Sequence, residues 1–257
     1  LYFAQGIPYF IVNNISVIMF TKMGVPNGEM AMFTSLLYLP WFIKPFWSPF
    51  VDIIKTKRWW TVTMQMVMSA ALILLFLTLP RPSAGMFTVT LVLFLITAFA
   101  SATHDIAADG FYMIALSQSN QAAFVGIRST FYRLASIFGQ GVLVAIAGMI
   151  ELKSGNIPRS WSLTLLISAI IFSVVTLYHT FIIPKPQADK STLEGEAKTG
   201  SAIFKEFARS FVTYFKKPYV WIAIVFMLLY RLPEAFLIKM CMPFLVAAKD
   251  LGGLGLS

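Results

Sequence analysis

The stretch MFTVTLVLFLITAFASATHDIAADGFYMIAL, residues 86–116, decides the class of fold to which this chain belongs. It is apolar over most of its length, and about 20 such residues cross the hydrocarbon core of a bilayer as a helix. Its only acidic or basic side chains are His104, Asp105 and Asp109. Each charge at membrane depth costs several kcal/mol unless it is paired or hydrated. The stretch therefore predicts a transmembrane helix that holds its charges for a structural or functional reason.

The composition of the whole chain extends this interpretation. Hydrophobic residues make up 58% of the 257 and charged residues only 12%, whereas soluble domains carry about 25% charged residues. The net charge of +9 would suggest nucleic acid for a soluble protein, but here the basic residues cluster in loops, so no nucleic-acid partner is expected. The sequence predicts an all-α, polytopic membrane protein in contact with the lipid bilayer.

Seven apolar stretches are long enough to span a membrane. Short links with turn residues make successive spans antiparallel neighbours, and the one long, charged connection divides the chain. We expect an N-terminal six-helix bundle (1–183), a linker (184–218) and the start of a second bundle (219–257), in a chain truncated at both ends. The seven spans are predicted at about residues 1–20, 30–47, 60–79, 86–116, 122–150, 161–183 and 219–247.

The linker has two parts. Residues 184–199 are predicted to be flexible, whereas residues 201–217 place Phe204, Phe207 and Phe211 at helical spacing between charged residues. This pattern is typical of an amphipathic helix on the membrane surface. Lys and Arg are more frequent in the links after even-numbered spans, which predicts that these links, including the linker, are cytoplasmic.

Spans 4 and 5 bring charges together. The two spans are antiparallel around a link near residue 119. When one residue from each span lies at the same depth, the sum of the two residue numbers is therefore nearly the same for every such pair. This relation pairs Asp105 with Arg133 and Asp109 with Arg128, and the two carboxylates share one helix face because they are four residues apart. Two uses stay open: a charge network that holds the cytoplasmic side shut, or a site for proton coupling and an anionic substrate.

Other polar residues in the spans are weaker candidates. Arg231 and Glu234 flank Pro233, so they form either a gate or binding site at a kink or an ion pair at a packing bend. His104 either relays protons beside Asp105 or is packed and neutral. The candidate cavity-lining residues are Gln5, Asn13, Asn14, His104 and Tyr132.

The sequence offers no sign of catalysis or of a bound cofactor. It contains no HExxH, GxSxG or P-loop pattern and no set of metal-ligand spacings. Its single cysteine, Cys241, excludes an internal disulfide and a cysteine-based metal cluster. We therefore expect neither an enzyme nor a cofactor.

Two segments resemble a known family. Lys44-Pro-Phe-Trp-Ser-Pro-Phe-Val-Asp52, with the basic residues after it, resembles the signature between helices 2 and 3 of the major facilitator superfamily. Together with Ala102-Thr-His-Asp-Ile-Ala-Ala-Asp-Gly110 and Phe131-Tyr-Arg-Leu134, it looks like the branch of AmpG-type muropeptide permeases and the related acetyl-CoA transporters. Ser48-Pro49 departs from the general signature, which has Gly there.

The resemblance implies a secondary transporter of the bacterial inner membrane that imports anhydro-muropeptides with protons during cell-wall recycling. Acetyl-CoA or another organic anion is the alternative substrate, and a non-transporting receptor or scaffold is the alternative of another class. The residues expected to couple protons or hold substrate are Asp105, Arg133, Arg231 and Glu234. Those expected to form the cytoplasmic gate are Lys44, Asp52, Asp109 and Arg128.

Overall fold

The computed structural model describes residues 1–79, 86–191, 200–230 and 232–233. Every regular element in these ranges is helical, as the sequence predicts. Contacts divide the chain into two compact units, Leu1–Ile203 and Phe204–Ser257. The helices, numbered in chain order, are α1 Tyr2–Lys22, α2 Asn27–Ile54, α3 Lys57–Thr78, α4 Met86–Ala115, α5 Gln118–Ser154, α6 Ile157–Ile182, α7 Gly200–Phe215 and α8 Val220–Tyr230.

Most of the predicted spans form helices long and apolar enough to cross a membrane. Among the described residues, α1, α3, α4, α5 and α6 satisfy both conditions, and α7 with α8 adds a sixth span if the bent pair counts as one. The exception is α2, which has 28 residues but includes Glu29, Lys44 and Asp52. Its length of about 42 Å at 1.5 Å per residue exceeds a bilayer core. Most of predicted span 7 lies outside the described residues.

The helices begin where short polar side chains can cap them. Thr56, Ser117 and Asn156 each accept a hydrogen bond from the backbone N–H three residues later, at the starts of α3, α5 and α6. Such caps satisfy donors that the first helical turn leaves open. The links between successive spans are therefore sharp, and the six helices pack as a bundle around a common apolar core.

Two of the spans contain a π-helical segment, Ile11–Ile15 in α1 and Ile137–Leu143 in α5. These segments contact each other, and Asn14 donates a hydrogen bond to Gln140 at 3.3 Å. The two helices approach closely at Gly6 and Gly139. A β-carbon added to Gly6 would lie 2.5 Å from Ala135 Cβ, and one added to Gly139 would lie 2.8 Å from Phe10 Cβ. The α1–α5 contact thus depends on residues without side chains.

The first part of the linker, up to residue 191, makes hydrogen bonds with the start of α3, and its flexibility stays a prediction. The buried carboxylate of Asp189 accepts hydrogen bonds from the backbone N–H groups of Lys57 (2.7 Å) and Arg58 (2.9 Å). This carboxylate accepts hydrogen bonds from two backbone N–H groups that the first turn of α3 leaves without a partner in the helix. Its negative charge also interacts favourably with the positive end of the helix dipole. Residues 192–199 lie outside the described ranges. The amphipathic helix forms as α7, and its position on the membrane stays a prediction.

Candidate functional site

The central polar feature of the bundle is a cluster of Gln5, Lys44 and Asp105, from α1, α2 and α4. The Lys44 ammonium donates to Asp105 Oδ2 at 2.5 Å, and the Gln5 amide donates to Asp105 Oδ1. The Asp105 side chain is only 16% exposed. Both oxygens of this half-buried carboxylate therefore have a hydrogen-bond partner from another helix.

The cluster lies far from the ends of its helices. Lys44 precedes the last residue of α2 by ten positions, and Asp105 precedes the last residue of α4 by ten. At 1.5 Å per residue, both groups are about 15 Å from the same ends of these two helices. Both helices are longer than the roughly 30 Å core of a bilayer, so the ion pair lies well inside the bundle, and its depth in the membrane stays a prediction.

Aromatic side chains border the cluster. Tyr9 packs edge-on against Trp41 at 5.1 Å between ring centroids and lies 6.3 Å from Tyr132. Both tyrosines lie within electrostatic range of Asp105. Tyrosine and tryptophan combine a flat apolar face with one polar handle. The site therefore joins a charge pair to an aromatic wall that includes the predicted Tyr132.

The predicted pairing of Asp105 with Arg133 is wrong. Arg133 is exposed and forms no ion pair with a described residue. Ala135, two positions along α5, is the residue that packs against Gly6 of α1. Two residues turn an α-helix by about 200°, so Arg133 lies on the side away from α1. The sum of residue numbers predicted the depth at which Arg133 lies, but it contained no information about which face of α5 carries Arg133.

The second predicted pair is present. Arg128 contacts Asp109 Oδ1 at 3.1 Å, and the Tyr2 hydroxyl donates to the same oxygen at 3.0 Å. The guanidinium also lies over the rings of Tyr2 and Tyr112, at 4.5 Å and 5.2 Å from their centroids. Cation–π contacts of this kind add to the charge pairing. Tyr2 had no signal in the sequence that set it apart from other membrane aromatics.

The four residues predicted to form the cytoplasmic gate, Lys44, Asp52, Asp109 and Arg128, do not form one cluster. Lys44 pairs with Asp105 and does not join the other three residues, while Asp52 forms an ion pair with Lys57. The stem of Lys57 runs over Gly110, where an added β-carbon would lie 2.8 Å from Lys57 Cε. Asp52 and Lys57 therefore lie beside the segment that carries Asp109. Lys57 was missed because its sequence context is a basic loop.

His104 faces away from the cluster, which fits the packed alternative for this residue and not a cavity lining or a proton relay with Asp105. It is fully buried, and its Nε2 lies 2.9 Å from the Gln65 amide nitrogen. The same Gln65 amide meets His179 Nδ1 at 3.0 Å. Adjacent helical residues point about 100° apart. His104 therefore joins α4 to α3 and α6, while Asp105 points toward α1 and α2.

The remaining candidates differ in their surroundings. Gln5 belongs to the cluster, and Asn14 bonds Gln140 at the π-helical segments. Asn13 is only 3% exposed, and neither atom of its amide has a hydrogen-bond partner among the residues that the structure describes. Arg231 and Glu234 lie outside the described residues. The part of the chain that the structure describes holds no group of three or more potential metal ligands among His, Cys, Asp and Glu.

Sequence comparisons identify the family to which this bundle belongs. The sequence model of the Major Facilitator Superfamily matches residues 1–256. The chain belongs to the Major Facilitator Superfamily. Two curated relatives carry the name "Putative transporter AmpG 4": one from Rickettsia felis, 26% identical over 253 residues, and one from Rickettsia conorii, 25% identical over 252 residues. Each alignment covers 94% of this chain and 57% of the relative's length.

Membership of the Major Facilitator Superfamily confirms the predicted fold class and the resemblance drawn from the segments around Lys44 and Asp105. The protein is an integral membrane protein of a transporter family, and the family points to transport rather than catalysis. A lipid bilayer follows as the surroundings of these helices. The chain spans little more than half the length of the curated relatives that it matches.

Proposed function

We propose that this major facilitator protein is a proton-coupled importer of anhydro-muropeptides or of a related sugar-containing organic anion. It works by alternating access in the bacterial inner membrane, with the linker on the cytoplasmic side. Family membership and the AmpG name of the two relatives support a transport role. The observation that carries the proposal is the Lys44–Asp105 ion pair inside the helix bundle.

The ion pair provides a simple means of coupling. A proton that binds Asp105 neutralises the carboxylate and removes the main partner of Lys44. The ammonium of Lys44 is then an unpaired cation at membrane depth, a state that costs several kcal/mol unless an anion replaces the carboxylate. An anionic substrate supplies that replacement. Release of the proton on the other side restores the pair and favours release of the substrate.

The surroundings of the pair suit a sugar-bearing anion. Tyr9, Trp41 and Tyr132 offer aromatic faces and hydroxyl or N–H groups to a pyranose ring. Arg133, on the exposed side of α5 away from α1, and Arg231, from the later part of the chain, are proposed to hold further anionic groups of the substrate outside this cluster. Glu234 is proposed to share in proton exchange. Asp52, Asp109 and Arg128 are proposed to latch the cytoplasmic side, with Lys57 as the partner of Asp52.

The test of the activity is uptake of labelled GlcNAc-anhydro-MurNAc peptide by cells that lack their own permease. These cells express the full-length gene product that contains this sequence, with or without a protonophore. We expect uptake that collapses when the protonophore is added. No uptake by a correctly inserted protein would remove the muropeptide claim, and acetyl-CoA and other organic anions would then be assayed in the same cells.

Two substitutions test the coupling step. Asp105→Asn is expected to abolish proton-driven accumulation while leaving substrate exchange across the membrane. Lys44→Gln is expected to raise KM roughly 10- to 100-fold, because it removes a charge-assisted bond worth about 1.5–3 kcal/mol. The control is Lys22→Gln, which removes the exposed Lys22–Glu151 ion pair at 3.1 Å. Full proton-driven accumulation by Asp105→Asn would refute the coupling role.

A further inference from the structure

One face of α7 carries a row of exposed apolar side chains. Phe204, Ala208, Val212 and Phe215 follow each other at spacings of four, four and three residues, and all four are exposed, with Phe204 at 68%. Residues at these spacings lie on one side of an α-helix. An exposed apolar row of this kind is costly in water, so it needs an apolar surface against it.

A row of cations runs beside the apolar row. Lys205, Arg209 and Lys216 each follow a member of the apolar row by one residue, which places them about 100° around the helix. Glu206 is the only acidic residue of the helix, and it lies 3.6 Å from Arg209. Long cationic side chains at the edge of an apolar strip bury their stems and extend their charges to the headgroup level.

The end of α7 turns sharply into α8. The two helices meet at 78°, and Tyr219 at the turn has a positive φ of 62°. The ring of Phe215 stacks on Trp221 at 5.2 Å across the turn, and the indole is 61% exposed. Tyr and Trp are enriched where proteins meet the lipid headgroups. A nearly right-angled pair of helices with such a corner fits one helix in the membrane plane and one across it.

We propose that α7 lies in the headgroup layer of the leaflet on the linker's side and binds anionic phospholipids. The apolar row of Phe204, Ala208, Val212 and Phe215 inserts among the acyl chains. The cations of Lys205, Arg209 and Lys216 bind lipid phosphates and carboxylates. A protein partner would not require cations along the whole border of the apolar strip, whereas an anionic membrane surface gains from every one of them.

The experiment places a polarity-sensitive dye on α7 in the full chain, reconstituted in nanodiscs. Cys241 is first replaced by Ser, and the dye is attached at Ala208→Cys on the apolar row or at Thr213→Cys on the opposite, polar face. The discs contain phosphatidylcholine with 0, 10, 20 or 40% phosphatidylglycerol. A brominated lipid and aqueous iodide serve as quenchers. We expect the dye at 208 to be quenched by lipid, increasingly with phosphatidylglycerol, and the dye at 213 to be quenched by iodide.

The charge dependence separates lipid binding from packing against protein. The variant Lys205→Gln/Arg209→Gln/Lys216→Gln should lose the response to phosphatidylglycerol, with the ratio of inserted to free helix falling roughly fivefold per cation. The control, Lys185→Gln/Lys190→Gln, neutralises two exposed linker cations and should keep the response. A dye at 208 that neither quencher reaches, or that iodide quenches in every disc, overturns the proposal. An equal loss of response in the control overturns it as well.

Discussion

The packing of α1 on α5 makes a quantitative prediction for Gly6. A β-carbon at this position would lie 2.5 Å from Ala135 Cβ, about 0.9 Å short of the 3.4 Å at which ordinary contact begins. Ala135 Cβ is fixed to its backbone and cannot rotate away. Gly6→Ala therefore forces the two helices apart or bends one of them, and overpacking of this size costs about 1–3 kcal/mol.

The net effect also includes the helix preference of alanine. Replacing Gly by Ala inside a helix stabilises it by about 0.5–1 kcal/mol, which offsets part of the steric cost. We expect a net loss of up to about 2.5 kcal/mol, and a chain of this size should then unfold up to about 10 °C lower. The matched control is Gly148→Ala in α5, where a β-carbon has no neighbour within 4 Å. It should leave the melting temperature unchanged or raise it.

A double substitution distinguishes the clash from a general intolerance of change. Ala135→Gly removes the atom that Gly6→Ala would meet, and the next nearest atoms, both of Tyr132, lie at 3.5 Å. In the Ala135→Gly background, Gly6→Ala should cost less than about 0.5 kcal/mol, so the two changes should be strongly non-additive. Thermal unfolding in detergent, followed by far-ultraviolet circular dichroism, measures the parent chain, the two single variants and the double variant. Additive effects, or a Gly6→Ala protein as stable as Gly148→Ala, would refute the close packing.

Three further substitutions test other contacts. Gln65→Leu should lower the free energy of unfolding by about 1–3 kcal/mol, because His104 and His179 lose the hydrogen-bond partner that they share. Thermal unfolding, with Gln65→Asn as the comparison variant, measures this loss. An unchanged stability would contradict the network. Asp189→Ala should cost about 1 kcal/mol and speed proteolysis in the linker, because the start of α3 loses its acceptor; unchanged cleavage would contradict this. Asn13→Leu should raise the melting temperature, because it removes a buried amide that has no hydrogen-bond partner among the described residues. A lower melting temperature would show that the amide has a partner.

The sequence predicted the helices better than the contacts between their charges. Length and apolar composition located α1 and α3–α6, because a membrane span must satisfy both. The Asp109–Arg128 pair followed from matching depths across a short link. The same relation failed for Arg133, since depth does not specify rotation about the helix axis. That rotation is set by the close packing of Gly6 on Ala135, which no single-sequence pattern reveals.

The contacts of Lys44 and Gln65 also could not be predicted from the sequence. Lys44 was assigned to the gate because span 2 was predicted to end at residue 47, whereas α2 continues to Ile54 and carries Lys44 about 15 Å from its end. Gln65 joins two histidines from helices that are far apart in sequence. Its only signal was an amide in an apolar stretch, and such residues bond across helices in many ways.

The π-helical segments of α1 and α5 change the direction in which the side chains after them point from the helix. A π turn contains about one residue more than an α turn, so it shifts every later side chain by about 100° relative to an unbroken α-helix. Deletion of one residue within Ile11–Ile15 would turn Gln5 and Tyr9 relative to Met19 and Phe20, which are buried in the core. The number of residues in this segment, as much as their identity, therefore determines which groups of α1 face Asp105.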